Sequence, residues 1–382
     1  MTETSIASPA NVQLGTRSLG DLRSGAAAPW SDPDRVTAMD EAKRAVFLDL
    51  PFDAPDDTVV QIVAVREGVA VGRVDLLPAR LLVHGSGGVS GEVLATSFGS
   101  GMFVPSRHRG QGIGGELARH RERLQEIRLS CGVSQMLLPI YRRLGWRDFA
   151  MPRYVLPRES RPVVERFLGR GVLAAIGSAA GDVALALPAA LHRRRRAALG
   201  SRVAIERAEE FPRLWEPLLA RPRAEASTER SKRVIDWMLR HRFTGDARAR
   251  QSLHLLRDAS DGSALGYFLL KIRHHATASH RGFSDVLLGS LQDWMLFDPA
   301  RLDVRDVVTG AVAELARDGV TAIEICLPPQ ESPAALRRMG FLRVGEQHFL
   351  ASAAPGSRLA SARFDLPASW WFRPADGDCV FS

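Results

Sequence analysis

The run Arg109-Gly110-Gln111-Gly112-Ile113-Gly114-Gly115 constrains this chain more than any other stretch. Glycine weakens a helix or strand by roughly 0.5–1 kcal/mol relative to alanine, so such a density persists where something must approach the backbone. The run follows a β-rich segment and opens an apolar-periodic one. Successive amides there point at one spot, and the start of a helix adds partial positive charge; together they bind phosphate oxygens. Arg109 can add a charge-assisted bond. Gly110, Gly112 and Gly115 also satisfy the dinucleotide pattern G-x-G-x-x-G. That reading wants a parallel strand-helix-strand unit and a carboxylate about 20 positions on, where this chain has Ser134, Gln135 and Met136. A glycine-rich turn without any ligand is the remaining alternative.

The surroundings set the glycine run in a mixed, hairpin-rich domain. Gln61 to Val65 and Ala70 to Leu76 are β-rich runs around the turn Glu67-Gly68. Gly91 to Val104 reads as a further strand, ending at Pro105. A helix is expected from about Ile113 to Leu129, on the spacing of Leu117, Leu124 and Ile127. A short helix over Pro139 to Leu144 stops at Gly145. The second half repeats this order: a hairpin around Asp261-Gly262, strands at Val286 to Leu291 and Trp294 to Phe297, a helix at Val307 to Ala316, a strand at Thr321 to Leu327, and a short helix at Pro333 to Met339. Tyr141-Arg142-Arg143-Leu144-Gly145-Trp146 aligns with Leu336-Arg337-Arg338-Met339-Gly340-Phe341, the trace of an internal duplication.

The expected organisation is therefore a disordered N-terminus over 1–30, a catalytic domain over 31–160, a helical linker over 161–202, a second domain over 203–352, and a tail over 353–382 that docks on the body. A length of 382 residues suits two domains. The formal charge of +8 is not read as a nucleic-acid signal. Only Lys43, Lys232 and Lys271 are lysine, and the excess of arginine and alanine looks like base composition of the genome. Cys131, Cys326 and Cys379 offer neither a disulfide framework nor metal-ligand spacing, which fits a cytoplasmic protein. No metal is expected. Leu173 to Leu191 is apolar but interrupted by Gly177, Gly181, Asp182 and Pro188. It is expected to form a buried or interfacial helix, not a membrane span.

On these residues the sequence resembles the GNAT superfamily of acyltransferases. Arg109 to Gly114 matches that family's acetyl-CoA signature, Arg/Gln-x-x-Gly-x-Gly/Ala. Tyr141 to Trp146, preceded by Pro139-Ile140, looks like its Tyr-x-x-x-Gly-Phe segment, with a spacing similar to that of the tandem-domain "enhanced intracellular survival" acetyltransferases. The resemblance is specific over about residues 60 to 155 and topological over 203 to 350. It implies an α/β (α+β) fold of two GNAT-like domains, each a mixed, mostly antiparallel twisted sheet flanked by helices. It implies acetyl-CoA or another acyl-CoA as co-substrate, held by Arg109, Gly110, Gln111, Gly112, Ile113 and Gly114. A backbone amide near Phe103 or Val104 would stabilise the oxyanion, and Tyr141 would reprotonate the CoA thiolate.

For the general base, Glu92 is the first candidate, with His84 and His108 behind it. The aromatic tail Trp370-Trp371-Phe372 is expected either to cap the core or to bring Asp376, Asp378 or the Ser382 carboxylate to the acceptor. The second half has no glycine loop. It reads Phe297-Asp298-Pro299-Ala300-Arg301-Leu302-Asp303 there, with acids where phosphate would sit, and Leu336 at the tyrosine position. The expected function is transfer of an acyl group, acetyl first, to a primary amine on a small molecule such as an amino sugar or aminated metabolite. The alternatives are an inactive CoA-binding sensor or assembly protein and a peptide or protein N-acetyltransferase. A homodimer is left open.

Overall fold

The structure is a computed structural model that describes residues 12–84, 91–168, 171–221, 224–241, 249–276, 285–328, 331–357, 359 and 369–376. From the N-terminus the strands are β1 (Gln13–Ser18), β2 (Val59–Arg66), β3 (Val69–Val83), β4 (Glu92–Phe103), β5 (Ile127–Cys131), β6 (Arg147–Pro157) and β7 (Val203–Ala208). They continue as β8 (Ala226–Thr228), β9 (Arg250–Asp258), β10 (Ala264–His275), β11 (Val286–Leu296), β12 (Ala322–Cys326), β13 (Leu342–Ala353) and β14 (Trp370–Trp371). The helices are α1 (Leu19–Ser24), α2 (Glu41–Leu48), α3 (Ile113–Leu124), α4 (Leu138–Arg143) and α5 (Arg161–Leu168). After these come α6 (Val172–Gly200), α7 (Glu216–Leu219), α8 (Lys232–Arg240), α9 (Val304–Arg317) and α10 (Pro333–Arg338).

The chain divides into two compact units, neither of them a continuous stretch of sequence. Unit 1 takes Met1–Ala150, Pro222–Trp237 and Gln347–Ser382; unit 2 takes Met151–Arg221 and Met238–Glu346. In unit 1 the sheet runs β1-β2-β3-β4-β5-β13, antiparallel except for the parallel pair β4 and β5. In unit 2 it runs β6-β12-β11-β10-β9-β7, antiparallel except for the parallel pair β11 and β12. Along these two runs the strand order and the place of the parallel pair are the same; in unit 1, β8 beside β3 carries β14 as a further parallel strand. Each sheet takes its last strand from the other half of the sequence: Phe349–Ala353 of β13 pairs with β5, and Arg153–Pro157 of β6 pairs with β12.

Three expectations need correction. Residues 13–24 are ordered, not disordered: Gln13 to Ser18 pair with β2, Ser18 and Asp21 form a capping box that starts α1, and Leu19 and Leu22 are buried. Residues 1–11 lie outside the described residues. Helix α3 ends at Leu124, short of Leu129, because Gln125 is extended and all of Ile127 to Cys131 is buried as the strand beside β4. The third concerns α6. Of the two expectations for it, buried or interfacial, the first does not hold: Ile176, Val183 and Leu191 are exposed. Its 175–200 stretch is long and apolar enough to cross a membrane by length and composition.

The cores follow from the alternation of the strands. Ile62, Ala64, Val71, Val74, Leu76, Ile113 and Leu117 pack where α3 covers β2 and β3. Unit 2 has a larger core, with α9 residues Val307, Val308, Ala311, Val312 and Leu315 against Phe268, Leu270, Leu291 and Trp294. The aromatic tail caps unit 1. Phe372 stacks on Phe349 with ring centroids 4.1 Å apart, and Trp370 and Trp371 pair with β8. Asp376 is 2 % exposed and ion-paired to Arg230 at 2.5 Å. Its carboxylate also accepts from the Thr228 hydroxyl at 2.7 Å and the Arg373 amide at 2.7 Å, so it serves as an anchor and not as a free base. Asp378 and Ser382 lie outside the described residues.

Candidate active site

The site is built where β4 loses its partners. Pairing with β5 stops at Gly99 and Ser130. On the other edge the register with β3 slips between Val74 and Leu76, which face Met102 and Gly99. Ser100 and Gly101 are the extra length of a β-bulge, and Gly101 takes φ +86, a conformation that favours glycine. Downstream of this bulge β4 is splayed from β5, Met102 and Phe103 still pairing with Val74 and Arg73. Val104 follows the strand, and its carbonyl accepts from Arg109 Nε at 3.0 Å.

The glycine loop closes the far end. Gly110 and Gly112 both take φ +77, and Gly112 is the N-cap of α3 with no side chain capping it. The Glu116 amide is bonded to the Gly112 carbonyl at 3.1 Å; the amides before it, like those at any helix start, have no acceptor one turn back within the helix. A side chain at Gly110 would meet nothing within 4 Å, so its glycine serves the backbone conformation. Gln111 accepts from Arg66 at 2.7 Å and donates to the Arg107 carbonyl at 3.1 Å, which fixes the loop. Ile113 is buried at 1 % exposure in the α3 core, so only its backbone can face a ligand. Gly114 leaves a gap against Met102, Leu137 and Ile140. Arg66, bonded to Gln111, and Arg109 give the loop positive charge, and Arg107 beside it is ion-paired to Asp34.

Tyr141 lies in a cluster with Ala118, Leu138, Trp146 and Leu350, and Met102 from the splayed end of β4 packs against it. The Tyr141 ring is 4.6 Å from Trp146 and the residue is 2 % exposed. Close to it lies Arg121, a residue that sequence reasoning missed. Arg121 is completely buried and donates to the Ser97 carbonyl at 2.9 Å and the Leu129 carbonyl at 2.6 Å, one on each strand just before they part. Burial lowers its pKa, and the adjacent Tyr141 opposes that shift. The null side chain at Gly99 makes the room: a Cβ there would sit 2.5 Å from Arg121.

Glu92 does not join this site. It is the first residue of β4, opposite Val83, and at a strand rise of about 3.3 Å per residue it is roughly 30 Å from Gly101. A general base must come within hydrogen-bond reach of the proton it takes, or within one water. His84 lies at the same remote end, its amide bonded to the Glu225 carbonyl at 2.8 Å, with its pKa lowered by burial. His108 accepts from Arg107 in the turn ahead of the loop at 3.1 Å. Nearer the site is a pair that the sequence did not reveal: His348 Nδ1 lies 2.8 Å from Asp148, with Gln135 at 3.4 Å from Nε2. Among the described residues no group of His, Cys, Asp and Glu is arranged to hold a metal.

No protein-family model matches the sequence, and no curated protein matches it. The structure itself is similar to solved ones. A GCN5-related N-acetyltransferase from Anabaena variabilis superposes with a TM-score of 0.50 at 10% identity, over 90% of this chain and 73% of that one. The fold is that of the GNAT acyltransferases, present twice. Saccharomyces cerevisiae N-myristoyltransferase, solved with bound myristoyl-CoA, is similar with a TM-score of 0.51 at 10% identity, over 92% of this chain and 81% of that one. A tandem GNAT protein from the clavulanic acid biosynthesis pathway is covered over its full length at 12% identity with a TM-score of 0.49.

The second GNAT unit closes what the first leaves open. Helix α9 occupies the place of α3, but its N-cap is Asp303, whose carboxylate accepts from the Asp306 amide at 3.1 Å. A cavity of about 300 Å³ remains there, lined by Leu302, Val304, Val308, Leu327 and Leu336. A carboxylate on the helix start takes the partial charge that phosphate would need.

Proposed function

We propose that the chain is an acyl-CoA-dependent N-acyltransferase whose donor site lies in unit 1. The observation that carries this reading is the pairing of an uncapped, glycine-opened α3 with the splayed β4 strand that leads into it. The loop amides and Arg109 would hold the pyrophosphate, and the rest of the donor would lie along the unpaired edge of β4 toward the bulge. An acceptor amine then attacks the thioester carbonyl. The C–N bond forms, the oxyanion is stabilised by backbone amides of β4, and the C–S bond breaks. Tyr141 gives its proton to the departing thiolate, the neighbouring Arg121 guanidinium stabilises the phenolate that this leaves, and the proton lost by the attacking nitrogen, passed through water, restores the phenol.

The acyl group proposed is acetyl and the acceptor a primary amine on a small molecule, with no metal and in the cytoplasm. Unit 2 is not proposed to hold a donor, since its own helix start is occupied by Asp303. A pure CoA-binding sensor is the less favoured reading, because it gives no use for a tyrosine hydroxyl set near a buried arginine. The test is calorimetric titration of acetyl-CoA and longer acyl-CoAs into wild type and Gly112→Glu. Micromolar binding lost in the variant supports the donor site. Absence of binding to every acyl-CoA would remove the acyltransferase reading.

A further inference from the structure

Lysine is scarce here: three of the 51 basic residues. Wherever a cation is needed the sequence supplies arginine, so the position of Lys43 is informative. Its side chain is 12 % exposed, and Nζ lies 2.8 Å from Asp75, a residue with no exposed surface. The same Nζ donates to the Ser100 carbonyl at 2.5 Å, the first residue of the β4 bulge. An ideal Cβ on Gly101 would sit 3.1 Å from that nitrogen, so the glycine keeps the bulge clear for the ammonium. Asp75 is fixed in turn by Gln61 Nε2 at 2.8 Å and by Arg73 Nε at 3.4 Å.

This cluster is costly to maintain. Desolvating an ion pair is repaid only when the geometry is good and the remaining lone pairs are satisfied. No expected site residue belongs to it. It converges on the one peptide of β4 that lies at the bulge, between the end of the β5 pairing and the splayed segment. At the same bulge the Ser100 hydroxyl is buried without a protein partner.

From this geometry we infer that Lys43, held by Asp75, is a positioning residue for the oxyanion-binding peptide Ser100–Gly101. The inference rests on the acyl-transfer reading above and adds residues to it. In a trans peptide the carbonyl and the following N–H point in opposite directions. With the Ser100 carbonyl tied to Lys43, the Gly101 N–H is directed away from the Lys43–Asp75 pair. The ammonium also polarises the peptide, which makes that N–H a stronger donor to the thioester oxygen. Lys43 itself does not touch the acyl group. It locks the bulge so that no reorganisation is needed as negative charge develops. The oxyanion donor is thus placed upstream of Phe103 and Val104.

The test uses acetyl-CoA hydrolysis, which needs no knowledge of the acceptor. Water attacks the thioester carbonyl, the C–S bond breaks, and acetate and CoA thiol are released. Wild type, Lys43→Met and the charge-neutral pair Lys43→Met/Asp75→Asn are compared by calorimetry, by hydrolysis, and by the infrared band of the ¹³C-labelled carbonyl of bound acetyl-CoA. The expected result is donor affinity within about twofold, kcat lowered by about 10- to 30-fold, a fraction of what an oxyanion donor is worth, and a carbonyl band moved back toward its frequency in water. The double variant removes both charges of the Lys43–Asp75 pair and leaves Arg73 its bonds to the Val36 and Ala38 carbonyls, so it keeps the test valid if Lys43→Met alone does not fold. Should neither fold, ¹⁵N-glycine labelling of the wild type decides: a Gly101 amide proton that does not move on acyl-CoA binding overturns the inference. Unchanged kcat and an unmoved band in a folded, donor-binding variant overturn it while leaving the acyltransferase reading intact. Wild type that binds no acyl-CoA removes both.

Discussion

Arg121 Cζ stands 5.0 Å from the centroid of the Trp146 ring. That contact, with the two carbonyls Arg121 bonds on β4 and β5 and the Tyr141 hydroxyl beside it, makes one buried polar assembly under the opening of the sheet. Trp146 is tied as well, its Nε1 donating to Glu122 at 2.5 Å.

Replacing Arg121 by leucine removes both carbonyl bonds without restoring water to either acceptor. The expected cost is about 3 kcal/mol, since each buried acceptor left unsatisfied costs roughly 1–3 kcal/mol. The urea midpoint of unfolding measures it. Donor affinity should fall too, because the point where β4 and β5 part is no longer fixed. A variant as stable as wild type would show that the guanidinium is not holding the two strands.

Tyr141→Phe tests the proton donor with little change in packing, since the ring still meets Trp146. Loss of a positioned general acid lowers turnover by about 10²- to 10⁴-fold, and acyl-CoA affinity should stay unchanged. Equal kcat in the variant would return Tyr141 to a purely structural place in the cluster with Leu138 and Leu350.

The buried pair Arg230–Asp376 gives a stability prediction for the tail. The two side chains are 2% and 1% exposed, so Asp376→Ala takes this carboxylate from a buried guanidinium, at a cost of about 3–5 kcal/mol. Removing both charges with Arg230→Met/Asp376→Leu should recover most of that in chemical denaturation. If the single variant lost nothing, the tail would not be anchored through this carboxylate.

In unit 2, His254 stacks on Phe268 with centroids 4.8 Å apart. Its pKa is lowered to about 4, first by burial and then by Arg207 and Arg317. The folded pKa is depressed, so the unfolded chain takes up the proton first as pH falls. Stability is intact above the unfolded value of about 6.5 and declines between there and about pH 4, by on the order of 3 kcal/mol. His254→Gln should flatten that part of the stability–pH curve. A curve of unchanged slope would mean that other groups carry the acid transition.

Much of the fold was legible because local rules agreed with it. The Glu67-Gly68 hairpin, the Gly145 stop after α4 and the repeat of that helix at α10 all follow from turn chemistry and apolar periodicity. What failed was of longer range. Helix α3 was drawn too long because Leu124 and Ile127 fit a helical period, yet Ile127 belongs to a strand whose partner lies far away in sequence. The glycine turn into α3 was legible because glycine density is a local signal. Glu92 was misplaced because residue spacing does not say which end of a strand faces the ligand. Lys43, Asp75, Arg121 and His348 were missed because separate elements bring them in, and only the rarity of lysine hinted at the first.

The exchanged last strands also bear on how the protein can be made. The Arg128 guanidinium meets the Ser352 hydroxyl across 224 residues of chain, so the first sheet cannot be completed until nearly all of the polypeptide has left the ribosome. Until then the β5 edge is open, a template for mispairing and a natural client for a chaperone. A break within 161–202 would give two fragments that each lack a border strand. Neither should be soluble alone, and co-expression should restore both, which makes the chain a natural split protein.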